Sequence, residues 1–177
     1  MPETPAQPSQ PADIRLLVLD VDGVLTDGGL YYGPGDVEIK RFDIKDGFAL
    51  RAAPRVGLRI GILTARASQA LAKRAAELEI EHVIQGSPDK ARDVRRIATA
   101  AGFDLKQTAF MGDDLPDLPA MRQVGYPIAV ADAAAEIREI AALTTARPGG
   151  RGAVREAIEH LLTAQNKWAN ATEPFTR

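Results

Sequence analysis

Short apolar runs alternate with stretches of helical period along most of this chain. Residues 14–19, 58–63, 81–84, 108–111 and 127–130 are the apolar runs, and Leu143-Thr144 adds a short last one. Runs of this length bounded by turn residues read as strands buried on both faces. Between them, helices are expected from Asp46 or its neighbour through Val56, ended by Gly57 and distorted near Pro54, and over the alanine-rich 68–78. A further helix is expected to 100, with Ser87 as its cap, Pro88 in its first turn and Gly102 closing it. A proline-interrupted helical segment follows at 115–124, then helices at 133–141 and 151–162. Residues 30–32 and 37–42 flank Gly33-Pro34-Gly35-Asp36, which reads as a β-hairpin.

This alternation predicts an α/β fold: a single, doubly wound parallel sheet, Rossmann-like, covered by helices on both faces and carrying the hairpin at 29–43 as an insertion. The Pro- and Gln-rich residues 1–13 are expected to form a disordered arm. The stretch from 169 to 177 lacks periodicity and is expected to fray, leaving 14–165 as the ordered domain and 166–177 as a tail.

Composition narrows the chemistry. A chain of 177 residues suits one domain. Cysteine is absent, which excludes disulfides, cysteine nucleophiles and thiolate metal sites. His82 and His160 are the only histidines, too few for a histidine-rich zinc centre. The net charge is −2, with Lys and Arg spread among acids, so no nucleic-acid partner is expected. The apolar runs are too short to span a membrane. The first residues lack a basic segment followed by an apolar one, so a cytoplasmic location is expected.

Ligands of parallel α/β sheets lie beyond the carboxyl ends of the strands. There the first strand delivers Asp20-Val21-Asp22-Gly23-Val24-Leu25-Thr26. Strand side chains alternate faces, so Asp20 and Asp22 set off the same way, and Gly23 lets both reach one cleft. Neighbouring carboxylates repel and resist desolvation unless a cation or protons compensate. A carboxylate beside a metal can also attack phosphorus. Thr64 ends another strand, where its hydroxyl can donate to a phosphate oxygen or cap the next helix. Lys90, in a first helical turn, offers a mobile point charge, although lysines there are often simply solvated. Gly112-Asp113-Asp114-Leu115-Pro116-Asp117 places three acids after a strand and at a helix start. Capping alone can use such acids. An oxygen-only donor set also suits a hard cation that keeps several waters, hence Mg²⁺.

In order and spacing, these four pieces resemble the haloacid dehalogenase superfamily of phosphohydrolases. The resemblance implies that Asp20 is the nucleophile and that Asp22 is the general acid, then the base that activates water. Thr64 and Lys90 would bind the transferring phosphoryl group. Asp20, the main-chain carbonyl of Asp22, and Asp113 would hold Mg²⁺, with Asp114 and Asp117 orienting Lys90 and the metal's waters.

A narrower resemblance rests on Asp20 through Gly28, the hairpin, Phe42-Asp43-Ile44-Lys45-Asp46-Gly47, Leu63-Thr64-Ala65-Arg66 and Gly149-Gly150-Arg151-Gly152-Ala153-Val154-Arg155-Glu156. Over about residues 14–165 the chain is similar to the 3-deoxy-D-manno-octulosonate 8-phosphate phosphatase family, a capless branch of the superfamily. The lack of any long insert after Thr26 or before Asp113 agrees. The resemblance implies a phosphosugar substrate, a place in lipopolysaccharide biosynthesis, and a homotetramer built through the hairpins, whose neighbours help cover each site. It offers Arg66 as a clamp for a sugar carboxylate, against the alternative of an exposed arginine at a helix start. Arg151, Asp46 and Gly47 would border the substrate. The family more often has Thr-Gly-Arg where this chain has Thr64-Ala65-Arg66. A phosphatase of nine-carbon sugar acids is an alternative within the same chemistry. A phospho-accepting receiver domain is the alternative outside it, disfavoured because Asp22 follows Asp20 so closely.

Overall fold

All four side chains of the strand Leu16–Leu19 (β1) are fully buried, which contributes on the order of 1.5–3 kcal/mol each. The computed structural model describes residues 9–177. After β1 come the hairpin strands Tyr31–Tyr32 (β2) and Glu38–Ile39 (β3), then helix Ile44–Ala52 (α1). Arg59–Leu63 (β4), Gln69–Glu77 (α2), His82–Ile84 (β5) and Lys90–Ala101 (α3) follow. Thr108–Gly112 (β6), Leu118–Met121 (α4), Tyr126–Ala129 (β7), Ala135–Ile140 (α5) and Leu143–Thr144 (β8) complete the sheet region. Two helices end the chain, Ala153–Ala164 (α6) and Trp168–Thr172 (α7).

The sheet order is β5-β4-β1-β6-β7-β8, with every neighbouring pair parallel. The chain moves outward from β1 through β4 to β5, then crosses back to β6 on the other side of β1. The reversal makes the carboxyl end of β1 the switch point. Leu19 is in register with Ile62 of β4 and Met111 of β6, so the residues leaving these three strands emerge side by side.

Helices cover both faces. A Cβ on Gly61 of β4 would come within 2.9 Å of Ile97 of α3. The next residue, Ile62, lines a space with Leu50 of α1 and Leu71 of α2. Strand alternation therefore puts α3 on one face and α1 and α2 on the other; α6 packs against α1. No helix among the described residues is long and apolar enough to cross a membrane.

Several boundaries differ from expectation. Asp43 caps α1, accepting from Lys45 N at 2.7 Å, so the helix starts two residues before Asp46. Pro54 does convert the end of that segment, Ala53–Val56, to a 3-10 turn closed by Gly57. Asp89, not Ser87, caps α3: its side chain accepts from Arg92 N at 3.0 Å, while Ser87 Oγ donates to Asp93. The last long helix begins only at Ala153, because Gly152 takes a left-handed φ of 100°.

The ends of the chain also depart from the reading. Of the expected N-terminal arm, residues 1–8 lie outside the described residues, but 9–13 are placed. Ser9 N donates to Gly125 O at 2.8 Å, and Pro11–Asp13 forms a 3-10 turn that Gln165 holds through Pro11 O. The tail does not fray. It forms α7, whose Trp168 stacks on the Arg155 guanidinium at 4.7 Å, and Phe175 meets Phe48 edge-on at 4.8 Å. Aromatic anchors hold this segment where periodicity could not.

Candidate active site

Asp20 leaves β1 with its N–H still donating to Met111 O at 3.0 Å, so the sheet itself aims the residue. The turn after it needs glycine twice over. Gly23 has φ 92°, and a Cβ there would lie 2.0 Å from Asp113 Oδ2. Thr26 staples the turn, accepting from Gly23 N and Gly28 N and donating to Val21 O. From the far end of the chain, Gly150 N donates to Val24 O at 2.9 Å. A Cβ on Gly149 would sit 1.7 Å from Gly23 O, so only a glycine lets these two backbones meet.

Thr64, directly after β4, is buried, and its N–H is taken by Ile84 O at 3.0 Å. Its hydroxyl accepts from Arg66 N at 3.3 Å and retains its own proton to donate. Asp113 leaves β6. Asp117, fully buried one turn later, accepts from Asp113 N at 3.0 Å and Asp114 N at 3.4 Å through Oδ2, and from Lys90 through Oδ1 at 2.6 Å. Lys90 also reaches Asp20 Oδ1 at 2.8 Å.

These residues converge. Asp20, Asp22, Thr64, Ala65, Arg66 and Lys90 line a cleft of about 290 Å³ together with Asp113, Asp114 and Asp117. A larger groove, about 990 Å³, runs along α6 past Arg155 and His160, but shares no lining residue with this cleft and gathers no matching set of groups.

Electrostatics single out the same place. Burial, then the charge of Asp117, pushes Asp20 up to about 6 despite Lys90. Burial, then Asp117, Asp20 and Asp114, pushes Asp113 up to about 8. Burial alone would lower Lys90, but Asp20 and Asp117 outweigh it and raise its pKa. Carboxylates that resist ionising together need a positive charge between them. Asp20, Asp113 and Asp117 each present an oxygen within 4.8 Å of the others, an all-oxygen set that fits a hard divalent cation such as Mg²⁺. Both oxygens of Asp117 are engaged by Lys90 and by backbone N–H groups, which suits it to orient the cluster.

Asp22 is placed differently from its neighbours. Its carboxylate stays out of that cluster and pairs with Lys40 from the hairpin. Its Oδ2 lies 3.7 Å from Arg66 Nε, and Glu38 bridges the same two cations, 2.9 Å from Lys40 and 2.6 Å from Arg66. Hydrogen bonds from Lys40 and then Arg66 pull Glu38 down to about 2. Lys40 and Glu38 are absent from the sequence-based site. The available signal was their spacing: residues two apart on a strand share a face, here the face opposite Val37 and Ile39.

Three expected substrate residues do not line the cleft. Asp46 is buried within the fold, accepting from Arg155 N at 2.7 Å and Gly152 N at 3.3 Å, and so caps α6 from α1. Gly47 is small because α2 crowds it; a Cβ would lie 2.2 Å from an Arg74 nitrogen. Arg151 is exposed on the loop that follows Gly150, whose carbonyl accepts from Arg41 at 3.0 Å.

Comparison with known proteins places this cleft in a family. Residues 74–158 match the haloacid dehalogenase-like hydrolase family. A 3-deoxy-D-manno-octulosonate 8-phosphate phosphatase of Yersinia pestis is 41% identical over 161 residues, spanning 91% of this chain and 86% of the relative. The crystal structure of the phosphatase of that name from Moraxella catarrhalis, in complex with a magnesium ion, a phosphate ion and a KDO molecule, is similar with a TM-score of 0.90. It is 38% identical and covers 94% of this chain and 95% of its own. The cobalt-bound form of the Haemophilus influenzae phosphatase gives a TM-score of 0.86 at 35% identity, covering 89% and 93% of the two chains. Identity at this level across most of both chains, joined to the carboxylate cleft, means that the chain belongs to the 3-deoxy-D-manno-octulosonate 8-phosphate phosphatase family of haloacid dehalogenase-like hydrolases.

Proposed function

We propose that this protein hydrolyses 3-deoxy-D-manno-octulosonate 8-phosphate to the free sugar acid and phosphate, with Mg²⁺ and through an aspartyl-phosphate on Asp20. The observation that carries this reading is the convergence of Asp20, Asp113, Asp117, Lys90 and Thr64 at the ends of three adjacent strands.

Lys90 holds Asp20 by Oδ1, leaving Oδ2 to attack phosphorus. As the P–O bond to the sugar breaks, the leaving oxygen takes a proton from Asp22. Thr64 Oγ and Lys90 Nζ donate to the phosphoryl oxygens, where negative charge is spread in the transition state. Asp22 then accepts a proton from the water that attacks the aspartyl-phosphate, which frees phosphate and restores Asp20. When bound by Asp20, Asp113 and the main-chain carbonyl of Asp22, Mg²⁺ would offset the carboxylate charge and polarise the phosphoryl group.

The reading extends to a homotetramer assembled through the hairpin. Leu30, Tyr32, Val37 and Ile39 all expose large apolar surfaces there, while Glu38 and Lys40 pair with Arg66 and Asp22 at the cleft's edge. An isolated two-stranded hairpin is marginal, and an uncovered apolar face of this kind suits a second copy. A cytoplasmic location and a part in lipopolysaccharide synthesis belong to the same proposal.

Phosphate release from a panel of phosphorylated sugar acids tests the reading. The eight-carbon acid is expected to give the highest kcat/KM. A preference for a nine-carbon acid would reassign the substrate, and stable single-turnover phosphorylation without release would point to a receiver instead.

A further inference from the structure

Lys40 and Arg66 are cations beside Asp22 that no step above uses, and of the two only Lys40 is withdrawn from water. It stands on the hairpin, 18 residues from Asp22, yet its side chain is only 3% exposed. Desolvation alone would lower its pKa; hydrogen bonds to Asp22 and Glu38 outweigh that and raise it. Glu38 in turn binds Arg66, so Asp22, Lys40, Glu38 and Arg66 form a closed ring of alternating charge. This ring shares no residue with the pairs that Lys90 makes to Asp20 and Asp117. The cleft thus has two charged walls, one around the nucleophile and one around the acid.

We propose that Lys40 is a positioning residue for the general acid: it fixes Asp22 through Oδ1, so that Oδ2 is the oxygen that exchanges protons with the leaving group. The inference rests on the roles given to Asp20 and Asp22 above. A carboxylate on a short side chain has two rotatable bonds, and without Lys40 it is free to swing toward the metal-binding acids or toward Arg66. Misplacement of this kind removes proton transfer without removing phosphate binding.

The test compares two leaving groups. An alkyl phosphate must be protonated as it leaves; a nitrophenolate departs without help. In Lys40→Met, kcat/KM for the sugar phosphate is expected to fall roughly 10- to 100-fold, and that for p-nitrophenyl phosphate far less. The fall should lie in kcat, with KM for the sugar phosphate little changed. Lys40→Arg, which keeps a donor and a charge, should recover most of the rate. In an Asp22→Asn background, Lys40→Met should cost little more, because residues acting as one unit are not additive. Lys40→Gln replaces the Met variant if that one does not fold.

Equal losses on both esters would overturn the proposal, as would a raised KM with kcat kept, which would make Lys40 a substrate ligand. An undiminished effect in the Asp22→Asn background would overturn it too. The substrate assignment fails separately: a wild type that ignores the sugar phosphate defeats that assignment, and any other alkyl phosphomonoester then decides the role of Lys40.

Discussion

Lys90 Nζ lies 2.8 Å from Asp20 Oδ1, an ion pair whose two side chains are almost wholly withdrawn from water. Asp117 sits on the other side of the same ammonium at 2.6 Å. Removing one partner of a buried pair leaves uncompensated charge, which is far more costly than exchanging the whole pair for apolar groups. Lys90→Met is therefore expected to destabilise the metal-free protein by on the order of 3 kcal/mol. Saturating Mg²⁺ should return part of that loss, because it supplies a cation to the same acids. Urea unfolding with and without Mg²⁺ measures both.

Asp20→Asn should lower turnover by on the order of 10⁴-fold or more, since the nucleophile loses its charge but keeps its shape. The same change removes a carboxylate that burial holds at about 6, so metal-free stability should not fall. Phosphate release and a thermal melt on one preparation check the pair of outcomes. Full activity in this variant would reassign the nucleophile.

Chelation should abolish phosphate release, and added Mg²⁺ should restore it. Because the cation binds only the folded chain, it should also raise stability, by about 2.7 kcal/mol at a hundredfold excess over its dissociation constant. Asp113→Asn should erase that stabilisation. Activity that survives thorough chelation would contradict the metal assignment.

Asp46 supplies a pH test away from the cleft. Burial, opposed by the Arg155 N–H, reinforced by Asp43, and opposed again by the Gly152 N–H and Arg147, moves its carboxyl from 3.8 to about 6. The folded state then binds the proton more tightly than the unfolded one. Its stabilising contribution is full below about pH 4 and is lost as pH rises through 6, a change of up to about 3 kcal/mol. The stability difference between wild type and Asp46→Asn should shrink by that amount between pH 4 and pH 7 in urea titrations. Taking the difference cancels the other titrating acids.

The sheet, its strand ends and the acids of the cleft are readable in the sequence because each depends on neighbouring residues. An apolar run, an acid beyond its end and a glycine after that acid are local signals. The partners of Asp22 and Asp46 are not local. Lys40 comes from a hairpin whose alternation shows that Glu38 and Lys40 share a face but not which acid that face meets, and Asp46 meets Gly152 across 106 residues. Asp46 and Gly47 looked like pocket residues by motif position, yet α1 turns them toward α6 and α2. Ser87 looked like a cap because it precedes Pro88, but Asp89 has the extended backbone and free carboxylate that the role requires. The tail misled for the opposite reason, since its order comes from Trp168 and Phe175 meeting Arg155 and Phe48.

Gly149 touches the carbonyl of Gly23, and Gly150 donates to Val24, so the loop that bears Asp20 is finished by a segment more than a hundred residues downstream. A nascent chain still on the ribosome can hold every acid of the cleft and yet lack the backbone that braces them. Competence in this enzyme therefore waits until residues 149 and 150 reach the first loop.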